Sequence, residues 1–220
     1  ALEMHAGDAS VADFGCTAIA YLACDSDSRC EQLMRAGAAA RIVAALEMHA
    51  ENASVAEGGC AVIASLARGS DGQCEQLMRA GAAARIVAAL EMHAGDASVA
   101  DFGCTAIAYL ACDSDSRCEQ LMRAGAAARI VAALEMHAGN ADVAGVGCAA
   151  IANLAVGSDG RCEQLMRAGA VARIMAALEM HAENASVAEG GCAVIASLAR
   201  GSDGQCEQLM RAGAAARIVA

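Results

Sequence analysis

The residues of this sequence with the clearest chemical potential are its twelve cysteines and five histidines. One histidine recurs every 44 residues: His5, His49, His93, His137 and His181. A metal site needs several His, Cys or carboxylate ligands that converge, and neither the C-x-x-C nor the H-E-x-x-H spacing occurs. We therefore predict no metal site and place the histidines near helix C-termini, where the helix macrodipole favours them.

The cysteines allow three interpretations. Cys30 and its equivalents are predicted to lie in the first turn of a helix, which favours a thiolate and would suit a redox role. Twelve cysteines could also form a disulfide framework. Most of them, however, stand beside apolar residues in helical patterns, and the sequence shows no secretory signal. We prefer reduced thiols that fill the core, and hence an intracellular, cytoplasmic setting.

No enzymatic function is expected from this sequence. A repeated pattern offers no unique pocket with a nucleophile and an acid–base pair, and no glycine-rich loop follows a strand to hold a phosphate. The net charge is −11, because 26 acidic residues outnumber 15 arginines. Nucleic acids and anionic membranes both require a basic face, so neither is an expected partner. The sequence also predicts no cofactor, no small-molecule substrate and no membrane span.

All of these residues belong to five tandem repeats of 44 residues: 1–44, 45–88, 89–132, 133–176 and 177–220. The first repeat recurs letter for letter as the third, and the second recurs as the fifth. Proline is absent and strong helix formers dominate, which predicts an all-α fold. Because no spacer separates the repeats, we predict a single solenoid domain over 1–220, with both termini inside the second helix of a repeat.

The first and second helices of a repeat are short. In the second repeat, Asp71 is the predicted N-cap of a first helix that closes at Gly81, which suits a left-handed C-cap. In the first repeat, Ser28 and Glu31 fit a capping box for the same helix. A second, amphipathic helix is predicted from residue 82 to about residue 94, with His93 in its last turn.

The third helix is the longest, and Asp96 or its counterpart Asn52 is its predicted N-cap. One buried row is predicted at Val99, Gly103, Ala106 and Leu110, and an adjoining row at Cys104, Ile107 and Ala111. A helix that is buried on two sides lies between neighbours, so each repeat completes its core against the next one.

Two runs of sequence resemble the armadillo repeat family. Residues 184–199, NASVAEGGCAVIASLA, look like the third armadillo helix, in which G-C-x-A-L-x-N-L-A is typical. Residues 211–219, RAGAAARIV, are similar to the family's E-A-G-G-I-P-x-L-V junction between the first two helices. The resemblance spans the whole chain and implies a right-handed α-solenoid of five three-helix repeats. It also implies a concave surface lined by the third helices, where peptide-binding members hold an extended peptide with a ladder of Trp and Asn.

This chain departs from that ladder. The Trp position holds Thr17, Ala61, Thr105, Ala149 and Ala193, and the Asn position holds Tyr21, Ser65, Tyr109, Asn153 and Ser197. Because only Asn153 matches, the resemblance does not extend to recognition of a basic nuclear-import peptide. A helix, or another copy of the chain, is an easier partner to accommodate.

The repeats differ mainly along one stripe of the third helix, at repeat positions 10, 14, 17, 21 and 24. All four aromatic residues of the chain lie on it, where they could anchor a partner. The predicted binding residues are Phe14, Thr17, Tyr21, Ser65, Phe102, Thr105, Tyr109, Asn153 and Ser197. The alternative is that the rings only fill gaps between adjacent third helices.

Two functions therefore remain open. The first is a scaffold that binds a protein or peptide partner along the third-helix face. The second is a structural protein whose uncapped repeats assemble with other copies, head to tail or laterally, because terminal repeats without polar caps expose apolar interfaces.

Overall fold

The computed structural model describes residues 1–24 and 26–219. Ala220, where the chain was predicted to end inside a second helix, lies outside the described residues, as does Asp25. The short first helices are Asp27–Arg35 (α2), Asp71–Ala80 (α5), Asp115–Ala124 (α8), Asp159–Arg167 (α11) and Asp203–Arg211 (α14). The second helices are Ala38–Met48 (α3), Ala82–Met92 (α6), Ala126–Met136 (α9), Ala170–Met180 (α12) and Ala214–Val219 (α15). The third helices are Ala9–Ala23 (α1), Ala53–Ala67 (α4), Ala97–Ala111 (α7), Ala141–Ala155 (α10) and Ala185–Ala199 (α13). The predicted all-α fold is confirmed.

The N-caps of the first helices lie one or two residues before the positions that the sequence pattern suggested. Ser70, not Asp71, is the N-cap of α5, and its hydroxyl accepts from the Gln73 amide. Ser26 likewise caps α2, so the prediction that Ser28 and Glu31 form its capping box is wrong. The serine is preferred because its hydroxyl reaches the third amide of the helix, while the aspartate that follows still gains from the macrodipole in the first turn. A complete capping box occurs in α14 instead, between Ser202 and Gln205.

The other predicted helix ends are close to those observed. Asn52 Oδ1 accepts from the Val55 amide at 3.1 Å and caps α4, as predicted. Gly81 closes α5 with φ of 98°, in the left-handed region where glycine has no steric penalty. His93 is the C-cap of α6, one residue beyond its last turn.

The chain forms two compact units, Ala1–Leu110 and Ala111–Ala220, and a shared pattern builds the core of each. In the first unit, residues of both rows predicted on α7 are buried: Val99, Cys104, Ala106, Ile107 and Leu110 are each fully enclosed at 0% exposure. The prediction of five repeats in one solenoid domain stays a prediction.

A glycine on each of the third helices α4, α7, α10 and α13 lets the second helix before it pack closely. An ideal Cβ on Gly59 of α4 would lie only 2.5 Å from Leu46 Cδ2 of α3. The same pairing joins Gly103 to Leu90, and in the second unit it joins Gly147 to Leu134 and Gly191 to Leu178. The glycine is therefore a packing residue, and any side chain in its place would displace a core leucine.

Histidine links successive repeats inside each unit. The Nε2 atom of His49 lies 2.7 Å from the carbonyl oxygen of Ala6, and His93 Nε2 lies 2.7 Å from that of Ala50. His181 makes the same contact with Ala138 at 2.7 Å in the second unit. Each ring, protonated on Nε2, donates to a carbonyl in the turn of the preceding repeat.

We expect His93→Ala to lower the free energy of unfolding by about 1 kcal/mol, because the Ala50 carbonyl loses its donor. Urea unfolding followed by circular dichroism measures the loss. The matched control is His5→Ala, since His5 occupies the same repeat position but is exposed. Equal effects of the two substitutions would contradict a stabilising link.

Candidate protein-binding groove

Three third helices of the first unit, α1, α4 and α7, enclose an open groove of about 610 Å³. Helix α4 forms its floor, and α1 and α7 contribute residues from either side. Six of the nine predicted binding residues line it: Thr17, Tyr21, Ser65, Phe102, Thr105 and Tyr109. Phe14 is on α1 but outside the lining, and Asn153 and Ser197 are half-buried in the second unit, on α10 and α13.

Small residues make the floor of the groove. Gly58, Ala61 and Ser65 follow one another along α4 at helical spacing. A Cβ on Gly58 would lie 3.0 Å from Cys16 Cβ, so this glycine also allows α1 and α4 to approach closely. The Ser65 hydroxyl donates to the Ala61 carbonyl within the helix at 2.9 Å. The floor therefore offers a smooth surface with few side chains above the helix backbone.

Aromatic rings stand on both sides of this floor. Tyr21 of α1 is 77% exposed, and on α7 Tyr109 is 38% exposed and Phe102 is half-buried. Phe14 is 73% exposed. The alternative that the rings fill gaps between adjacent third helices stays a prediction, because Phe102, at the same repeat position as Phe14, is half-buried. Exposed rings beside a small-residue floor are suited to contact an apolar partner.

Charged groups lie at the two ends of the groove. Asp13 and Glu57 line it near the start of α1 and α4. Arg68, the C-cap of α4, and Cys24, the C-cap of α1, line it at the other end, and both are exposed. Cys24 and Arg68 are at repeat position 24 of the predicted stripe, but the sequence analysis did not single out Asp13 and Glu57. The available signal was the acid at repeat position 13, which also recurs as Asp101 and Glu189.

The buried thiols have little nucleophilic character. Burial raises the pKa of Cys16 to about 11 and that of Cys60 and Cys148 to about 12. Burial also raises the pKa of Cys30, although it lies in a first helical turn, and its thiol donates to the Ala23 carbonyl. A protonated thiol is a poor nucleophile. The core-filling interpretation therefore agrees with the structure for these cysteines.

The described residues also bear on metal binding and on membrane insertion. Within residues 1–24 and 26–219, no three His, Cys, Asp or Glu side chains converge in a way that could hold a metal ion. In the same part of the chain, no helix combines the length and the apolar character that a bilayer span requires.

Solved structures with the same arrangement of helices decide the fold. A designed armadillo repeat protein superposes with a TM-score of 0.82 at 27% identity, covering 93% of this chain and 83% of its own. Computationally designed armadillo repeat proteins for modular peptide recognition superpose with a TM-score of 0.85 at 26% identity, covering 97% of this chain and 86% of their own. The chain has an armadillo-like repeat fold.

A third armadillo structure contains a ligand. It is a designed armadillo repeat protein in complex with the peptide (KR)4, with a TM-score of 0.80 and 25% identity over 92% of this chain and 81% of its own. No protein-family model matches this armadillo-like chain, and no curated protein matches it either.

Proposed function

We propose that this armadillo-like protein is a non-enzymatic scaffold that binds a protein or peptide partner along its third-helix face. The observation that carries the proposal is the groove, in which six residues chosen from the sequence meet around a small-residue floor. Exposed aromatic rings with a polar surround have the composition of an interaction hot spot. Two designed neighbours support the same function: one is described as designed for modular peptide recognition, and the other is in complex with the peptide (KR)4.

Tyr21→Ala combined with Tyr109→Ala should weaken binding at least about tenfold, because each substitution removes a hot-spot ring from one side of the floor. The probe is a set of 16-residue peptides selected from a yeast-displayed random library against the wild-type chain. Fluorescence anisotropy then gives the dissociation constant of each peptide for both chains. Circular dichroism should show unchanged helicity, because both rings are on the surface.

The control substitution is Leu22→Ala, which removes a 53% exposed apolar side chain next to Tyr21 but outside the groove. It should leave the dissociation constants unchanged. Selected peptides that bind the double variant as tightly as the wild type would contradict the proposal.

Binding at the remaining predicted residues, Phe14, Asn153 and Ser197, is part of the same proposal. The alternative function, assembly with other copies of the chain, stays a prediction. Light scattering over a concentration series tests it, since assembly raises the mass above the 22.0 kDa of one chain.

A further inference from the structure

We propose that the groove holds one amphipathic α-helix of a partner protein, three to four turns long, that lies along α4 and antiparallel to it. The inference rests on the proposed function and specifies the ligand. It differs from an extended peptide that crosses the third helices one after another.

The shape of the groove favours a helix. Its floor follows α4 from Ser54 to Arg68, which corresponds to about 21 Å of helix axis at 1.5 Å per residue. Neighbouring helices pack at about 10 Å, so the axes of α1 and α7 are expected about 20 Å apart, on either side of α4. A helix with its side chains is about 10 to 12 Å wide, so one helix can lie on the small-residue floor of α4, between the side chains of α1 and α7 that line the groove. An extended peptide that crosses α4 would contact this floor over only a few residues and leave most of its length uncovered.

The floor also sets the composition of the partner's inner face. Gly58 and Ala61 project little above the backbone, so a leucine-sized side chain of the partner can reach the floor. Tyr21 and Tyr109 would then contact the flanks of the same helix. We expect apolar residues in the partner at i, i+3 or i+4, and i+7, which is the pattern of helix-in-groove recognition.

The charges at the two ends of the groove set the direction. An antiparallel helix places its first turn near Arg68 and its last turn near Asp13 and Glu57. Acidic residues in the first turn would face the guanidinium, and basic residues in the last turn would face the carboxylates. Helices favour the same distribution on their own, acids at the N-terminus and bases at the C-terminus, because of the macrodipole. A parallel helix would need the opposite distribution and would lose that advantage.

Selection of groove-dependent peptides tests the ligand class. Peptides that bind the wild-type chain are selected from a yeast-displayed library of random 16-residue peptides, and those that also bind Ala61→Leu are removed. The substitution fills the floor of the groove and preserves helix propensity. Ala149→Leu, at the same repeat position on α10, is the matched control, and this variant should still bind every selected peptide. We expect the surviving peptides to be amphipathic, to gain helicity on binding, and to carry acids in the first turn and bases in the last.

Each outcome of the selection has a distinct meaning. Groove-dependent peptides that stay extended when bound, or that are basic throughout, would overturn the helix inference and leave the proposed function standing. Recovery of no peptide that distinguishes wild type from Ala61→Leu would overturn both. For helical binders, exchanging the acidic and basic ends within the same composition should weaken binding about tenfold, because two end contacts become repulsive. Equal affinity after the exchange would overturn the antiparallel direction.

Cys24 provides an independent measurement of direction. It is exposed at the same end of the groove as Arg68. The protein used is the variant Cys112→Ser with Cys192→Ser, which removes the other exposed thiols. A selected peptide carries an activated mixed disulfide as a label, at its N-terminus in one sample and at its C-terminus in the other. The N-terminal label should form the disulfide with Cys24 at least about tenfold faster, because proximity raises the effective concentration. Faster reaction of the C-terminal label would show a parallel helix.

Discussion

Gly59→Val should lower the free energy of unfolding by about 3 kcal/mol or more. The ideal Cβ position of Gly59 lies 2.5 Å from Leu46 Cδ2 and 2.7 Å from Leu46 Cγ, so the clash involves the branch point as well as the tip of the leucine. Leu46 is only 5% exposed and has little free space into which it can move. A β-branched side chain at this position must therefore separate α3 from α4. Urea unfolding followed by circular dichroism measures the loss.

Gly72→Val is the control for that substitution. Gly72 is exposed in the first turns of α5, and its ideal Cβ meets only Ser70 Oγ, at 4.0 Å. The change should be within about 0.5 kcal/mol of neutral, as for most surface positions. A loss at Gly59 no greater than that at Gly72 would show that the close approach of the helices is not needed for stability.

Raising the pH from 8 to 10 should destabilise the protein through its buried thiols. Folding raises the pKa of Cys60 and Cys148 from 9.0 to about 12, mainly because burial disfavours the thiolate. Between pH 9 and 12 the unfolded chain loses these protons while the folded chain retains them. Stability is therefore complete below pH 9 and falls as the pH rises toward 12, by about 1.4 kcal/mol per thiol for each pH unit.

The measurement is the free energy of unfolding in urea at pH 8, 9 and 10. In Cys60→Ala, the free energy of unfolding should fall less steeply with pH, by the contribution of one thiol, whatever the effect of the substitution on stability at pH 8. Cys24→Ala is the control, because Cys24 is exposed. An unchanged slope in Cys60→Ala would mean that this thiol titrates equally in the folded and unfolded chains.

The sequence predicted the fold well because each element is marked locally. The 44-residue period, the glycine at each first-helix end and the apolar rows of the third helix all reflect interactions within one repeat or between identical neighbours. The predicted binding stripe could be chosen because differences between otherwise similar repeats single out positions that the core does not constrain. Six of its residues line one groove for this reason.

Contacts that depend on how repeats stack were not predictable in the same way. The histidines were placed correctly near helix ends, but their ring contacts reach carbonyls 43 residues away. Serine and aspartate are adjacent at the start of every first helix and both are good caps, so which of them is the N-cap could be decided only from the backbone geometry.

The surroundings of Arg161 also could not be predicted from the sequence. Arg161 is 5% exposed, and its Nε–H donates to the Leu154 carbonyl at 2.7 Å while Nη2 contacts Asp115 Oδ1 at 2.6 Å. A buried guanidinium that satisfies a helix end has the same sequence signature as a solvated surface charge. Nothing in the local pattern distinguishes the two.

The groove needs two aromatic third helices with a small-residue third helix between them, which is the order of the first three repeats. A further small-residue repeat followed by a further aromatic repeat would therefore create a second groove that reuses α7 as a shared wall. Duplication of 88 residues would thus add a complete site, whereas duplication of 44 would not. Two such sites on one chain would bind a two-helix partner bivalently, so that repeat number would set avidity while each site kept its own affinity.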